Sequence, residues 1–378
     1  MREGGSARRW AGILAPGVLW SAISLAQSPM FSVQVLLHIP SGTGIAAYGL
    51  LNRYGVAVGE VAGTSLCPDG CAVIWEAYEP SLLGELERPF SSVAYATNEN
   101  LQIVGTVTPL NSNGTPGLVQ AVIWNSLGGP ATLLPSPGPQ YVQSFAYAVN
   151  DAGQVVGGAA ESGDEGRIAV EWNGLTPTVL TPPAGYTGGS QAVGINTSGL
   201  VVGTSYSGKS GSPEAVVWRG TTATLLPKLQ PSQGGSVLAA SKALAVNDEG
   251  LVVGTAATAS GGTVAVAWEN GEVTNLGALG SGGLSAAAAV NDVGVIVGFS
   301  ATVDNDPHRA VLWSRIGAEP QDLNTLISAA DAAEFILTGA TGIDASCDIV
   351  ANGFNRTTGI RAAFILTLIE QSSCHTGL

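Results

Sequence analysis

Charge, histidine and methionine are scarce in this chain. Asp, Glu, Lys and Arg make up only 11% of 378 residues, with three His, two Met and four Cys. Disordered chains are charged and poor in apolar residues, and this one is 45% hydrophobic. The 52 Gly do not recur at every third position, which excludes a collagen-like rod. After residue 26, Gly and polar residues interrupt every apolar run, so no membrane span is expected in the mature chain. No HExxH or CxxC motif occurs, and no Ser/His/Asp order stands out.

The first 26 residues read differently. Arg2, Arg8 and Arg9 precede the apolar AGILAPGVLWSAISLA, and the small residues Ser24 and Ala26 precede Gln27. This is the three-part pattern of a secretory signal peptide, cut after Ala26. An uncleaved anchor is the rival reading, but the run is short and contains Pro16. The Arg8-Arg9 pair hints at twin-arginine export, although its flanks match poorly. Without residues 1–26, 11 basic and 27 acidic residues remain, a net charge of −16. Such a surface repels nucleic acid and argues against anionic partners.

What the chain does have is a repeat. AVNDAGQVVG, ending at Gly157, returns as LLNRYGVAVG, ATNENLQIVG, GINTSGLVVG, AVNDEGLVVG and AVNDVGVIVG, with a worn copy GIDASCDIVA. Asn52, Asn98, Asn150, Asn196, Asn247 and Asn291 each stand seven residues before a Gly. A run of small residues precedes the Asn, as in SVAYAT or SAAAAV. Further on, an Ala stands three residues before Trp75, Trp124, Trp172, Trp218, Trp268 and Trp313; the seventh copy has Ala363 and Leu366. A Leu- and Thr-rich run follows. The marker positions 52 to 344 give a mean period of about 49 residues.

Each unit reads as four short strands: a up to the Asn, b through VVG, c from Ala to Trp, and d. The Asn starts a turn by accepting a hydrogen bond from the backbone two residues on. The Gly supplies a positive φ, with Asn100 expected in that role in the second copy. A phosphate cradle would need a helix after the glycines, and no helical periodicity follows. The expectation is an all-β, seven-bladed β-propeller of four-stranded antiparallel blades spanning 27–370, with a tail at 371–378. A β-solenoid is the rival, but it would lack the repeated hairpin turns. The seventh copy has no fourth strand, and SVQVLLHIP near the N-terminus is spare. Residues 31–39 are therefore expected to complete the last blade. The Trp ring is expected to glue the units, lying flat on the strand-b Gly.

Four Cys in an exported chain suggest disulfides. Cys67 and Cys71 share one b–c loop, while Cys347 in an a–b turn and Cys374 after the last strand c fall on the other face. The pairs 67–71 and 347–374 follow from this topology, because bridged Cα atoms lie within about 7 Å. A zinc site is the rival use of these cysteines, but only Cys67 and Cys71 are close in sequence.

The pattern A-x-x-x-N-x-x-G-x-V-V-G, then A-V-x-W, resembles the HAF family of extracellular repeats. It is matched from Ala146 through Gly157 and again at Ala169–Trp172, and the resemblance covers roughly 44–368. The seventh copy departs at Asp344, Cys347, Ala351 and Leu366. The resemblance implies a secreted or surface bacterial protein with a propeller-like fold, and no particular activity.

The b–c loops (60–71, 106–120, 158–168, 204–214, 255–264, 299–309) are long and varied, as are the d–a links 227–242 and 327–340. Both sets emerge on one face, and binding residues concentrate on such loops. His308 with Asp304 and Asp306 offers metal ligands, though a solvated turn is the simpler reading; His38 and His375 lie on the closing strand and in the tail. Glu161, Asp164 and Glu165 could contribute to a calcium site, although no cofactor is expected. Loop aromatics are few: Phe90, Tyr141, Tyr186 and Tyr206.

The functional expectation is a non-catalytic monomeric scaffold, secreted, periplasmic or on the cell surface. It binds a protein or polysaccharide through the long-loop face. One alternative is a polysaccharide-active glycosidase or lyase using loop-face carboxylates; another is a purely structural surface protein. Carboxylates converging on the axis from the a strands would favour the enzyme.

Overall fold

The computed structural model describes residues 30–36, 44–49, 55–62, 69–84, 89–162, 167–208, 211–229, 240–259, 261–280, 283–301 and 308–369. These form seven four-stranded antiparallel sheets, each in the order a-b-c-d. Blades 1 to 6 span 44–82, 89–133, 143–179, 190–225, 241–277 and 285–322. Blade 7 takes strands a to c from 335–368 and its outer strand from Phe31–Val35. Phe31 pairs with Leu368, Val33 with Leu366 and Val35 with Phe364. Leu36 N–H adds a bond to the Ala363 carbonyl at 2.9 Å. The expected closure is present; residues 37–39 of the expected strand, the segment 1–26 and the tail 371–378 lie outside the described residues.

Strands b and c carry nearly unbroken buried runs, such as Val155–Ala160 and Ala215–Trp218, whereas strand d alternates exposed and half-buried. Two covered faces explain the difference, because each blade is sandwiched between neighbours. Seven apolar clusters fill the seven gaps between blades. A Trp sits in six of them and is essentially inaccessible. Burying one indole contributes about 4–6 kcal/mol as an upper bound.

Hydrogen bonds stitch the same gaps. The indole N–H of Trp124, Trp172, Trp218, Trp268 and Trp313 donates to a carbonyl at or just past strand d of the preceding blade, at 2.6–2.8 Å. Strand d is short, which leaves the first Ala N–H of strand c without a ladder partner. Ser92, Ser144, Ser190, Ser241 and Ser285, on strand a of the next blade, accept from those N–H groups at 2.8–3.0 Å.

The repeated Gly of strand b has a different role from the one expected. In blades 2 to 6 strand a carries a bulge opposite it, as between Ala146 and Ala148. A Cβ on Gly157 would run into the Phe145 carbonyl and meet Ala146 Cα at 3.1 Å. The glycine admits bulged backbone rather than an indole ring.

The Asn makes two kinds of bond. Oδ1 of Asn98, Asn150, Asn196, Asn247 and Asn291 accepts from the backbone N–H four residues on, at 2.8–2.9 Å. Only Asn98 also shows the expected bond two residues on, from Asn100 N–H. Each Nδ2 then donates to the carbonyl at the matching position of the next blade at 2.8–3.0 Å, ending on Asp344. Five blade junctions are thus joined around the axis. Asn52 lies outside the described residues.

In the turns that follow, Gly153, Gly199, Gly250 and Gly294 have φ of 78° to 85°. The second copy uses Leu101 there (φ 58°), not Asn100, and the seventh uses Cys347 (φ 64°). The bonds around the turn hold both residues in a conformation that L side chains disfavour by about 1–2 kcal/mol. Between blades 6 and 7 a short helix, Ala329–Glu334, is capped by Ser328.

Three outcomes follow from this packing. A chain lacking residues 30–36 loses its sharp calorimetric unfolding transition; a melt as cooperative as that of the full chain would contradict the closure. Gly157→Ala lowers stability in urea by about 3 kcal/mol or more, against about 1–2 kcal/mol for Gly153→Ala. Burial, then the charges of Asp348 and Glu99, push the Asp344 carboxyl up to about 6 against the N–H groups that bond it. A raised folded-state value means that its contribution is fullest below about pH 4 and fades as pH rises through 6. Asp344→Asn therefore melts higher than the parent at pH 8, by about 1 kcal/mol, and the two curves converge toward pH 4.

Candidate functional site

Two axial mouths are available, one on each face of the disc. On the short-turn face the a–b turns of blades 2 to 7 converge on a depression of about 260 Å³. Its rim carries Glu99, Asp151, Asp248, Asp292 and Asp344. These carboxylates are partly committed to structure. Asp151, Asp248 and Asp292 accept from the backbone N–H groups of Glu99, Thr197 and Asp248 in the preceding blade, at 2.8–2.9 Å. Asp344 accepts from Ser346 and Asp348 N–H, both at 2.8 Å. The turn phrase of the repeat is thus a hairpin that also joins blades.

The other mouth lies at the opposite ends of the same a strands. Alternation along strand a buries the Ser and Ala positions and leaves the intervening side chains half-buried along the axis. Tyr48, Tyr95 and Tyr147, from blades 1, 2 and 3, form a continuous arc with ring centroids 5.7 and 5.4 Å apart. Phe145 lies parallel to Tyr147 at 6.1 Å. Arg167, at the end of the b–c loop of blade 3, sets its guanidinium 4.3 Å over the Phe145 ring and donates to the Tyr147 hydroxyl at 3.2 Å. At the other end of the arc the Tyr48 hydroxyl donates to Glu60 Oε1 at 2.7 Å. Burial raises both the Tyr48 and Tyr95 phenols, with the bond to Glu60 adding to the Tyr48 shift. Both stay protonated donors at neutral pH.

Sequence reasoning passed over this arc. Tyr95, Phe145 and Tyr147 sit within runs read as small-residue strands, and the aromatics expected on loops were others. One signal was available: in the second and third copies Tyr stands three residues before the Asn. The bulge turns that position toward the axis. Among the expected loop aromatics, Tyr186 has its phenol pushed up to about 12 by burial and a bond to Glu214, which also pairs with Lys228 at 2.7 Å.

The remaining candidates are dispersed. His308 stacks on Phe299 at 4.5 Å, while Asp304, Asp306, His38 and His375 lie outside the described residues. Glu161 is exposed; Asp164 and Glu165 also fall outside. Among the described residues no three His, Cys, Asp or Glu side chains gather as a metal site, and no helix is long and apolar enough to cross a membrane. Cys71 and Cys347 are each disulfide-bonded, and the remaining cysteines, Cys67 and Cys374, lie outside the described residues.

A search of the curated proteins gives no match. Among solved structures the chain is similar to TolB from Acinetobacter baumannii (8% identity, TM-score 0.44, covering 83% of this chain and 64% of that one). It is also similar to a Trypanosoma rangeli sialidase in complex with sialic acid (10%, 0.45, 91% and 58%) and to an ulvan lyase of polysaccharide lyase family PL25 (11%, 0.43, 90% and 95%). The chain spans less than two thirds of the length of the first two. A family model described as "Protein of unknown function (DUF3466)" matches residues 174–363, half of the chain. The protein belongs to that family.

Proposed function

We propose that this protein is an exported, non-catalytic scaffold that holds a macromolecular ligand, a polysaccharide or a protein, at the long-loop mouth of the propeller. The observation that carries this reading is the arc of Tyr48, Tyr95 and Tyr147 with Phe145 beside it. Aromatic faces offer apolar area while phenol hydroxyls offer hydrogen bonds, the combination favoured where one side of a ring is dry and the other wet. A rigid ring of blades holds these groups in fixed positions, which keeps the entropic cost of binding low. Export is supported by the signal-like first 26 residues, the disulfide-bonded cysteines and the resemblance of the repeat to HAF repeats.

A polysaccharide-active enzyme is the second reading, favoured by one contact. Glu60 and the Tyr48 hydroxyl form a carboxylate–phenol pair 2.7 Å apart at this mouth. The strand-a segments that line the axis carry no Asp or Glu among the described residues. At the opposite mouth Asp151, Asp248, Asp292 and Asp344 are tied to backbone N–H groups of the turns.

A glycan and protein array probed with residues 27–378 separates the readings. The expected result is a retained ligand whose affinity falls roughly tenfold in Tyr95→Ala, with no change in ligand chain length. Polysaccharide cleavage abolished by Glu60→Gln would replace the scaffold with the enzyme.

A further inference from the structure

The net charge of −14 suggests a chain that avoids anions. The long-loop mouth departs from that average. Only three Lys occur in the whole sequence. One of them, Lys242, sits exposed on strand a of blade 5, between the buried Ser241 and the buried Ala243. Its position alternates with theirs and so faces the axis, as Phe145 does in blade 3. Arg167 is braced over Phe145 by the ring face and by the Tyr147 hydroxyl. Arg361, the first residue of strand c in blade 7, is exposed and close enough to lower the Tyr48 phenol against the effect of burial. The aromatic arc therefore runs from Arg167 to the Tyr48–Glu60 pair, with the Arg361 charge near that pair and a lysine across the axis.

This arrangement selects among ligands. An aromatic face takes the C–H face of a sugar ring or another aromatic, and the three Tyr rings, inclined by 55° and 52° to their neighbours, offer such faces in succession around a curved wall. A guanidinium held on an aromatic face recognises a carboxylate by paired N–H donors. Tyr hydroxyls and the amide of Gln191, the half-buried strand-a residue of blade 4 that matches Lys242, serve hydroxyl groups. We infer that the ligand of this mouth is an acidic saccharide, a chain of uronic acid units, whose ring faces lie on the Tyr48–Tyr95–Tyr147 arc while carboxylates meet Arg167 and Lys242. This rests on the proposed binding face and names its ligand class. The favoured alternative to a sugar, an acidic peptide, would use the cations but not the row of ring faces.

Calorimetric titration of residues 27–378 tests it, with a galacturonic acid hexamer, maltohexaose and hexa-aspartate as probes. The expected result is binding of the uronate hexamer, roughly tenfold or more tighter than maltohexaose and weakened by raising salt from 0.05 to 0.5 M. Lys242→Ala, an exposed change with an unaltered melting curve, weakens the uronate roughly threefold to tenfold and leaves maltohexaose unchanged. Arg167→Gln weakens it further. Equal affinity for the two hexamers overturns the inference, as does hexa-aspartate binding more tightly, or a folded protein that ignores the uronate. In each of those cases a Tyr95-dependent ligand from the array would leave the scaffold reading standing.

Discussion

The contact between two neighbouring blades is the constraint on which this molecule depends. Strands b and c are apolar on both faces, so one blade alone would leave both apolar faces in water. A stack of such blades has the same defect at its two ends. Bending the stack into a ring removes both ends, and the Phe31–Val35 strand then joins the two termini of the chain in one sheet. The repeated residues are best understood as parts of this one joint. Trp fills the gap and caps a carbonyl of the preceding blade. Ser supplies the acceptor that short strand d cannot. Asn reaches across the axis side to the next turn. Each acts on the neighbour at least as much as on its own blade.

Crowding at the axis explains how a scaffold with so uniform a repeat presents varied chemistry. Strand a must be narrow on the side facing its neighbour, hence the Ala and Ser. In blades 2 to 6 its bulge, admitted by the strand-b Gly, throws one residue toward the axis: Tyr95, Tyr147, Val193, Leu244 and Ala288. Blade 7 shifts register twice, and Thr341 takes the matching position opposite Ala351 rather than a glycine. In blade 1, Tyr48 and Gly49 N–H both bond the Val58 carbonyl, which presents Tyr48 in the same way. The position is constant while its side chain passes from aromatic to aliphatic to small around the ring. Any ligand in the channel therefore meets one sided wall, blades 1 to 3.

Much of the architecture was legible in the sequence because it depends on period. The Asn-to-Gly phrase, the Trp spacing and the missing fourth strand each repeat or fail to repeat, and the closure followed from counting. What escaped depends on contacts between residues about fifty apart. The amide of Asn150 meets Asn196, and no local pattern marks that bond. The bulge escaped for a second reason. It shifts the alternation of strand a by one residue, so Tyr147 cannot be assigned to a face by counting from Ala146. The repeat register puts Leu101 three residues after Asn98, where other copies have Gly, but a bulky residue at positive φ has no propensity signal; the turn bonds on both sides impose the conformation.

Blade 7 shows what the joint needs when its usual parts are replaced. Leu366 stands where the other blades have Trp and cannot donate a hydrogen bond. The gap it faces borders a strand d of only two residues, Gln321–Asp322. Both losses are made up from the link that follows. Leu323, Leu326 and Ile327 pack with Phe335, Phe364 and Leu366 in one cluster, and the two Phe rings meet edge-on at 5.1 Å. Asn324 bonds both the N–H and the carbonyl of Leu337, at 2.8 and 2.9 Å. A side-chain amide thus ties the link to strand a where the other blades use a serine. The closing blade keeps the joint but builds it from aliphatic volume and one amide. Buried area and satisfied backbone groups at each gap are therefore the invariant of the fold, and the tryptophan is one way of supplying them.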